Sequence, residues 1–527
     1  MDRRTFLKQG SGALIAMKAG TSSAAEEHET RQEFKTANTR WQAAYDKAIA
    51  VLAGNVRVLS AYPKPVLIEG SVYQRLSGEG GPHEGLVYSS IRRDVARNNQ
   101  MGFFAFQRED GHIPFAIMAS KGPTWDHLQL AVPLVAAAWE LSRKTGDSEL
   151  LETAYKGWSC WDAWMSRYRN TRGTGLCEGF CTFDTGQDNS TRWKGIPVTC
   201  PDGDATKCPP LPSLPRLCPD MSATVYGGRV ALAAMAKALG KTAEADRWTE
   251  SAEQIRGLIL SKLYVPEDAA FYDLDAQGNF VKIRCENLAR VCGEHVPDQK
   301  MFNDLWTRQI SNPKAFWAPY PMPSVALDDS QFVRPIPRNS WGGASQALTA
   351  LRATRWFDHY GRSAEFSQMM DQWCEAIQQD MTFRTQVDPL SGKFTQEDAP
   401  NYSPCALVMM DYTWRLAGVH EEQEVLHWNV RPGHPAAQSA RFSKQTDADR
   451  RAVMQYDVHG AELWLDGKPI GRVDSGAARV VTDKAGIPQE LLGISTRSQK
   501  VTLRLTGKKA TEHTVQPNQR ISLHRSL

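Results

Sequence analysis

At 527 residues the chain exceeds what one ordinary compact core organises, so a large domain with a smaller one appended is expected. Its 62 Lys plus Arg against 59 Asp plus Glu leave a net charge of +3, which gives no electrostatic basis for a nucleic-acid or anionic-membrane partner. A neutral or weakly charged small ligand suits that balance better.

The chain opens with Arg3-Arg4-Thr5-Phe6-Leu7-Lys8, a mildly apolar stretch over residues 10–17, and the small residues Ser22-Ser23-Ala24-Ala25. This resembles a twin-arginine signal peptide ending near residue 25, and implies the Tat export machinery as a partner and a periplasmic or secreted protein. No other segment reaches the 18 or so apolar residues of a membrane helix, so a protein that does not span the membrane is expected. In an exported protein the ten cysteines can form disulfides. Cys177 with Cys181, Cys200 with Cys208 and Cys285 with Cys292 are close in sequence, although sequence alone does not settle the pairing. Zinc-type spacing is missing, so neither metal nor cofactor is expected.

Short apolar runs between residues 63 and 118 (65–68, 103–106 and 113–116) read as strands or extended arms. The polar stretch 83–100, which contains His83, Glu84, Arg92 and Arg93, reads as a lid or a further wall of a pocket. Over roughly residues 37–420, apolar residues recur at helical spacing in pairs joined by short glycine turns: 127–144 with 148–169, 222–239 with 242–263, and 340–360 with 363–381. Long, chemically varied linkers separate these hairpins, which favours a closed ring over a solenoid of regular repeats. The predicted fold is therefore mainly α, an (α/α)6 six-hairpin toroid. After Gly418 the helical period gives way to alternation, and Asp466-Gly467 marks a hairpin turn; a β-sandwich domain over about residues 435–527 is predicted.

One loop concentrates reactive chemistry. Phe183-Asp184-Thr185-Gly186-Gln187-Asp188-Asn189-Ser190-Thr191-Arg192-Trp193 sets two carboxylates, an amide, a guanidinium and an indole between helices, a composition natural to a polar site. Gly186-x-Asp188-Asn189-Ser190-x-Arg192-Trp193 resembles the acid-bearing loop of the six-hairpin inverting glycosidases related to trehalase and glycoside hydrolase family 63, including the mannosylglycerate-hydrolase-like group. Weaker matches follow in order: Trp125-Asp126, Cys218-Pro219-Asp220, Phe271-Tyr272-Asp273, Asn339-Ser340-Trp341 and Asp388-Pro389-Leu390-Ser391-Gly392.

The resemblance implies a glycoside hydrolase that cleaves an α-glycosidic bond of an oligosaccharide or small glycoside with inversion. Asp188 would be the general acid. A second carboxylate would activate water from the opposite face, the two carboxyl groups standing roughly 6.5 to 9.5 Å apart. A raised Asp188 pKa would come from burial or from a nearby charge such as Asp184. The sequence departs from the family pattern at the base: no carboxylate precedes Asp388, so Glu397 is assigned that role, with Asp398 second. Sugar-binding candidates are Trp125, Asp126, Asn189, Arg192, Trp193, Asn339, Trp341 and Gln346, which offer hydroxyl partners and rings for stacking. Two other classes share such a scaffold: a polysaccharide lyase or sugar epimerase, and a non-catalytic carbohydrate-binding helical scaffold. The first would need a proton-transfer centre with a cationic grip on a uronate, for which Arg92, Arg93, Arg97 and His83 are available. The second would leave the Asp188 loop without a purpose.

Overall fold

The computed structural model describes residues 31–523 except 126, 129–132 and 202–203; the twin-arginine segment and Asp126 lie outside the described residues. Twelve α-helices are present among the described residues: α1 (Thr39–Gly54), α2 (Gly81–Tyr88), α3 (Arg93–Ala105), α4 (Leu134–Thr145), α5 (Ser148–Tyr168), α6 (Pro219–Ala238), α7 (Thr242–Lys262), α8 (Asn287–Gly293), α9 (Gln299–Leu305), α10 (Ala347–Ala353), α11 (Ser363–Asp380) and α12 (Ser403–Ala417). None is long and apolar enough to cross a membrane.

Local chemistry sets the hairpins. Gly146 closes α4 in the left-handed conformation (φ 67°), which glycine adopts without steric cost, and the next residue, Asp147, caps α5 by accepting from the Leu150 amide. Pro219 at the first position of α6 gives up an amide that no helix residue would have bonded. Helices α6 and α12 are buried almost all round, as interior helices must be, whereas α7 keeps a broad exposed face. The even-numbered helices run in a circuit: α2 packs on α4, α4 on α6, α6 on α8, α8 on α10, α10 on α12, and α12 returns to α2. Along the chain, α3, α5, α7, α9 and α11 follow an even-numbered helix, and α1 packs against α12.

Three expectations differ. Residues 103–106 end α3 instead of forming a strand, because α3 turns Asn98, Asn99 and Gln100 inward to donate to the carbonyls of Pro65, Leu67, Gly81 and Pro82. These polar contacts hide the helical period. The segment 83–100 is no lid: His83 and Glu84 are buried on α2. In the third hairpin the first helix shrinks to α10, with turns leading on to Gly361.

The C-terminal region forms two antiparallel sheets. One orders Gln32–Lys35, Arg441–Gln445, Arg451–Tyr456, Ala461–Leu465, Lys468–Ser475, Gln499–Leu505 and Thr511–Val515; the other orders Val419–Glu422, Val425–Val430, Ala478–Asp483, Pro488–Leu492 and Arg520–Ser522. Asp466 and Gly467, both at positive φ, make the tight turn their sequence signals. Alternate residues such as Ala452, Met454 and Tyr456 are buried and join Trp414 and Ala417 of α12 in one continuous apolar core.

Candidate active site

The acid loop is held from beneath by one buried arginine. Arg192 Nε donates to Asp273 (2.7 Å), Nη1 to Gln187 (2.9 Å) and Asp220 (2.9 Å), and Nη2 to Asp220 (2.8 Å) and Asp273 (2.5 Å). All five guanidinium donors are used, so Arg192, expected to touch sugar, instead fixes the loop. Trp193 is likewise scaffold, buried with its indole N–H on Thr185 Oγ1 (2.8 Å). Gln346 is buried and donates to Ser340 O (2.9 Å) and Gln386 (3.2 Å), so it braces the neighbouring loop.

Asp188 stands at the surface of this scaffold, ringed by protein yet reachable by solvent. Its backbone carbonyl accepts from the Trp341 amide (3.0 Å), and its Oδ2 accepts from Asn339 Nδ2 (2.6 Å). Asn189 Nδ2 donates to Asn339 O (2.8 Å), closing a two-way clasp between the loops. Trp341 acts through its backbone, because its ring is buried beneath the Arg290 guanidinium. Burial pushes the Asp188 carboxyl up to about 6, with the Glu69 charge adding, while the Asn339 hydrogen bond and the Arg75 charge oppose the shift. Asp184 is not the cause. It is wholly buried and occupied with Arg169 Nη1 (2.6 Å) and the amides of Phe180 (2.9 Å) and Leu128 (3.3 Å).

Three buried carboxyls that sequence reasoning did not single out as catalytic cluster near the same loop, Glu69 and Glu79 acting on it directly and Glu84 through them. Glu69 is paired with Arg75 Nε (2.9 Å). The Glu79 carboxyl lies against Gly186, where a Cβ would stand 2.9 Å from Oε1, and Gly186 itself takes φ 64°, so glycine is favoured on both counts. Burial, with the Glu69 and Asp188 charges adding, pushes Glu79 up to about 8, and its Oε1 has no hydrogen-bond partner. Glu84 is raised well above the carboxylate range by burial, then by Glu69, and neither of its oxygens is hydrogen-bonded.

The acidic turn that carries Glu397 is tied to the site through Tyr73 and Arg338. Gln396 is buried and donates to Tyr73 OH (3.2 Å); burial and the Glu69 and Asp188 charges push that phenol up to about 12 against the Gln396 bond. Asp398 pairs with Arg338 Nε (2.8 Å), the residue before Asn339. Between these anchors Glu397 is exposed. Trp125 lies under Arg108, 4.2 Å from guanidinium carbon to ring centroid, and His127 two residues on meets Phe183 of the acid loop at 5.1 Å. Asp188, Asn189 and Asn339 are thus joined by hydrogen bonds, and the Asp398–Arg338 pair ties the 396–398 turn to the same segment. Arg192, Trp193, Trp341 and Gln346 stand behind them.

A carboxyl of raised pKa, clasped by an amide at the end of a ring of helices, is the equipment of a helical glycosidase. Comparison with known proteins agrees. Residues 88–414 match the model of the mannosylglycerate hydrolase MGH1-like glycoside hydrolase domain, and the chain belongs to that family. The protein is a glycosidase. Among solved structures, the mannosylglycerate hydrolase of glycoside hydrolase family 63 from Thermus thermophilus, in complex with Tris, is 17% identical; the match covers 70% of this chain and 100% of that one with a TM-score of 0.57. Neutral trehalase from Saccharomyces cerevisiae is 12% identical over 66% of this chain and 74% of that one, with a TM-score of 0.51. A family 78 rhamnosidase from a Bacillus species is 11% identical over 83% of this chain and 40% of that one, with a TM-score of 0.53. These likenesses are of fold. No curated protein matches.

Proposed function

We propose that the protein hydrolyses an α-glycosidic bond of an oligosaccharide or small glycoside with inversion, Asp188 acting as general acid and Glu397 as general base. The observation that carries this reading is the Asp188 carboxyl, raised to about 6 and hydrogen-bonded to Asn339. Such a group keeps its proton in mildly acidic water and can pass it to the departing glycosidic oxygen. The base must be a carboxylate in reach of water, and Glu397 is exposed. The anchoring of its neighbours to Tyr73 and Arg338 supports its assignment over a free surface acid. Trp125 supplies a ring for the sugar, Asn189 and Asn339 supply amides, and Asp126 supplies a carboxylate for its hydroxyls.

In this reading residues 37–420 form an (α/α)6 toroid, supported by the closed circuit of even-numbered helices, and residues 435–527 form the body of a β-sandwich. The first 25 residues act as the export signal read by the Tat machinery, which delivers the enzyme to the periplasm or beyond.

The test is hydrolysis of a panel of α-linked disaccharides and aryl glycosides by the wild type and Asp188→Asn, with the released anomer read by NMR. Inverted product from the wild type, with a rate loss of roughly 10²- to 10⁴-fold in the variant, is the expected result. Retained configuration would overturn the mechanism, and equal rates would overturn the role of Asp188.

A further inference from the structure

Next to the acid loop three thiols converge. Residues 182 and 183 run alongside 197 and 198, with Thr182 N donating to Pro197 O (2.9 Å) and Phe183 N to Val198 O (3.1 Å). Cys181 lies beside Cys200, and their sulfurs, with an Asp184 oxygen, lie within 4.8 Å of one another. Cys208 approaches Cys200 from the other side, its Sγ 3.1 Å from Cys200 Sγ and 3.6 Å from Phe180 O. Cys200 is therefore the middle member of a row. All three are free thiols; Cys181 and Cys200 are buried, and Cys208 is partly exposed.

We propose that Cys181, Cys200 and Cys208 form a thiol–disulfide exchange site in which Cys200 bridges to Cys208 and can pass the bridge to Cys181. The oxidant is a small disulfide or a dithiol-oxidase disulfide, RSSR. The Cys208 thiolate, the one a solvent-borne reagent reaches, attacks one sulfur of RSSR and expels RS⁻. The Cys200 thiolate then attacks the Cys208 sulfur, expels the second RS⁻ and closes the Cys200–Cys208 bridge. Two thiol protons and two electrons leave the protein, and RSSR becomes two RSH. Transfer to Cys181 needs no oxidant: its thiolate attacks the Cys200 sulfur and releases Cys208 as the thiolate.

The electrostatics suit a central nucleophile. The Cys181 thiol donates to Cys200 and holds it below the usual thiol range, with Arg169 and Cys208 helping, while Cys181 is raised by that same bond and Cys208 is pushed up to about 12 by burial and by Cys200. Metal binding is the weaker reading of the same atoms, because the Asp184 carboxylate is already neutralised by Arg169. Cys181 opens the single turn Thr182–Thr185 that leads to Asp188. A bridge to Cys181 fastens the acid loop to the 197–200 segment, whereas a bridge to Cys208 leaves the loop free of it.

The experiment incubates the full chain with oxidised and reduced glutathione, quenches with acid after increasing times, alkylates and maps the peptides. Wild type is expected to give Cys200–Cys208 with Cys181 alkylated, and a minor Cys181–Cys200 isomer that grows when the quench is delayed. Cys208→Ser should give Cys181–Cys200, and Cys200→Ser should leave both remaining thiols alkylated. Three alkylated thiols in oxidised wild type would overturn the proposal. A Cys181–Cys208 bridge in Cys200→Ser would remove Cys200 from the middle position. If Cys208→Ser does not fold, the isomer ratio in wild type decides alone: a bridge that never reaches Cys181 rules out the exchange. None of these readouts depends on the glycosidase mechanism.

Discussion

Asn339 Nδ2 meets Asp188 Oδ2 at 2.6 Å, while the Trp341 amide two residues later holds the Asp188 carbonyl at 3.0 Å. A single short segment thus fixes both the position and the proton affinity of the acid. An amide N–H favours the charged carboxylate and lowers its pKa. In Asn339→Ala that restraint is gone and Asp188 rises above about 6. The alkaline limb of the pH–rate profile, where the acid loses its proton, is therefore expected to move to higher pH even as the maximal rate falls. A limb that stays in place would separate Asn339 from the acid.

Glu397 and Asp398 are adjacent and both exposed, but only Asp398 is paired, with Arg338. Glu397→Gln is expected to lose roughly 10²- to 10⁴-fold in kcat, as removal of a general base does, and Asp398→Asn far less. The two rates on one aryl glycoside check this; the reverse order would transfer the role to Asp398.

Glu79 binds its proton up to about 8 in the folded protein, against about 4.3 in an unfolded chain. Between these values the unfolded state carries fewer protons, so the contribution of Glu79 to stability is full at the acidic end and is lost as pH rises, by at most ~1.4 kcal/mol per pH unit. Glu79→Gln removes that slope. Its stability relative to wild type should improve between about pH 5 and about pH 8, read as the urea midpoint at each. Glu294, also pushed up to about 8 by burial, leaves the variant a residual slope of the same sign.

Arg192→Met leaves Asp220 and Asp273 buried without their main cation. The expected cost is about 3–5 kcal/mol, measured by denaturant unfolding, because an unpaired buried charge is dearer than the ion pair is favourable. Loss of activity with unchanged stability would instead return Arg192 to the substrate.

Much of the site was readable along the chain because the acid loop is contiguous: glycine, two acids, an amide and an arginine within a dozen residues have few structural uses together. Reading which of them face the ligand was beyond a linear pattern, since Arg192 looks like a sugar contact until Asp220 and Asp273, far away in sequence, claim its donors. Glu69 and Glu79 were missed for the same reason; only closure of the helical circuit brings them under a residue more than a hundred positions later. Hairpins with amphipathic periods, such as α4 with α5 and α6 with α7, were legible. Helix α3 was not, because its inward face is made of amides that bond backbone carbonyls.

The strand Gln32–Lys35 pairs with Arg441–Gln445 across some four hundred residues of intervening chain. During synthesis that strand leaves the ribosome long before its partner exists, so its backbone must wait unpaired or be sheltered until nearly the whole polypeptide has been made. Arrested translation products that contain every helix should therefore still be protease-sensitive at their amino-terminal end. A strand made late in synthesis thus secures one made early.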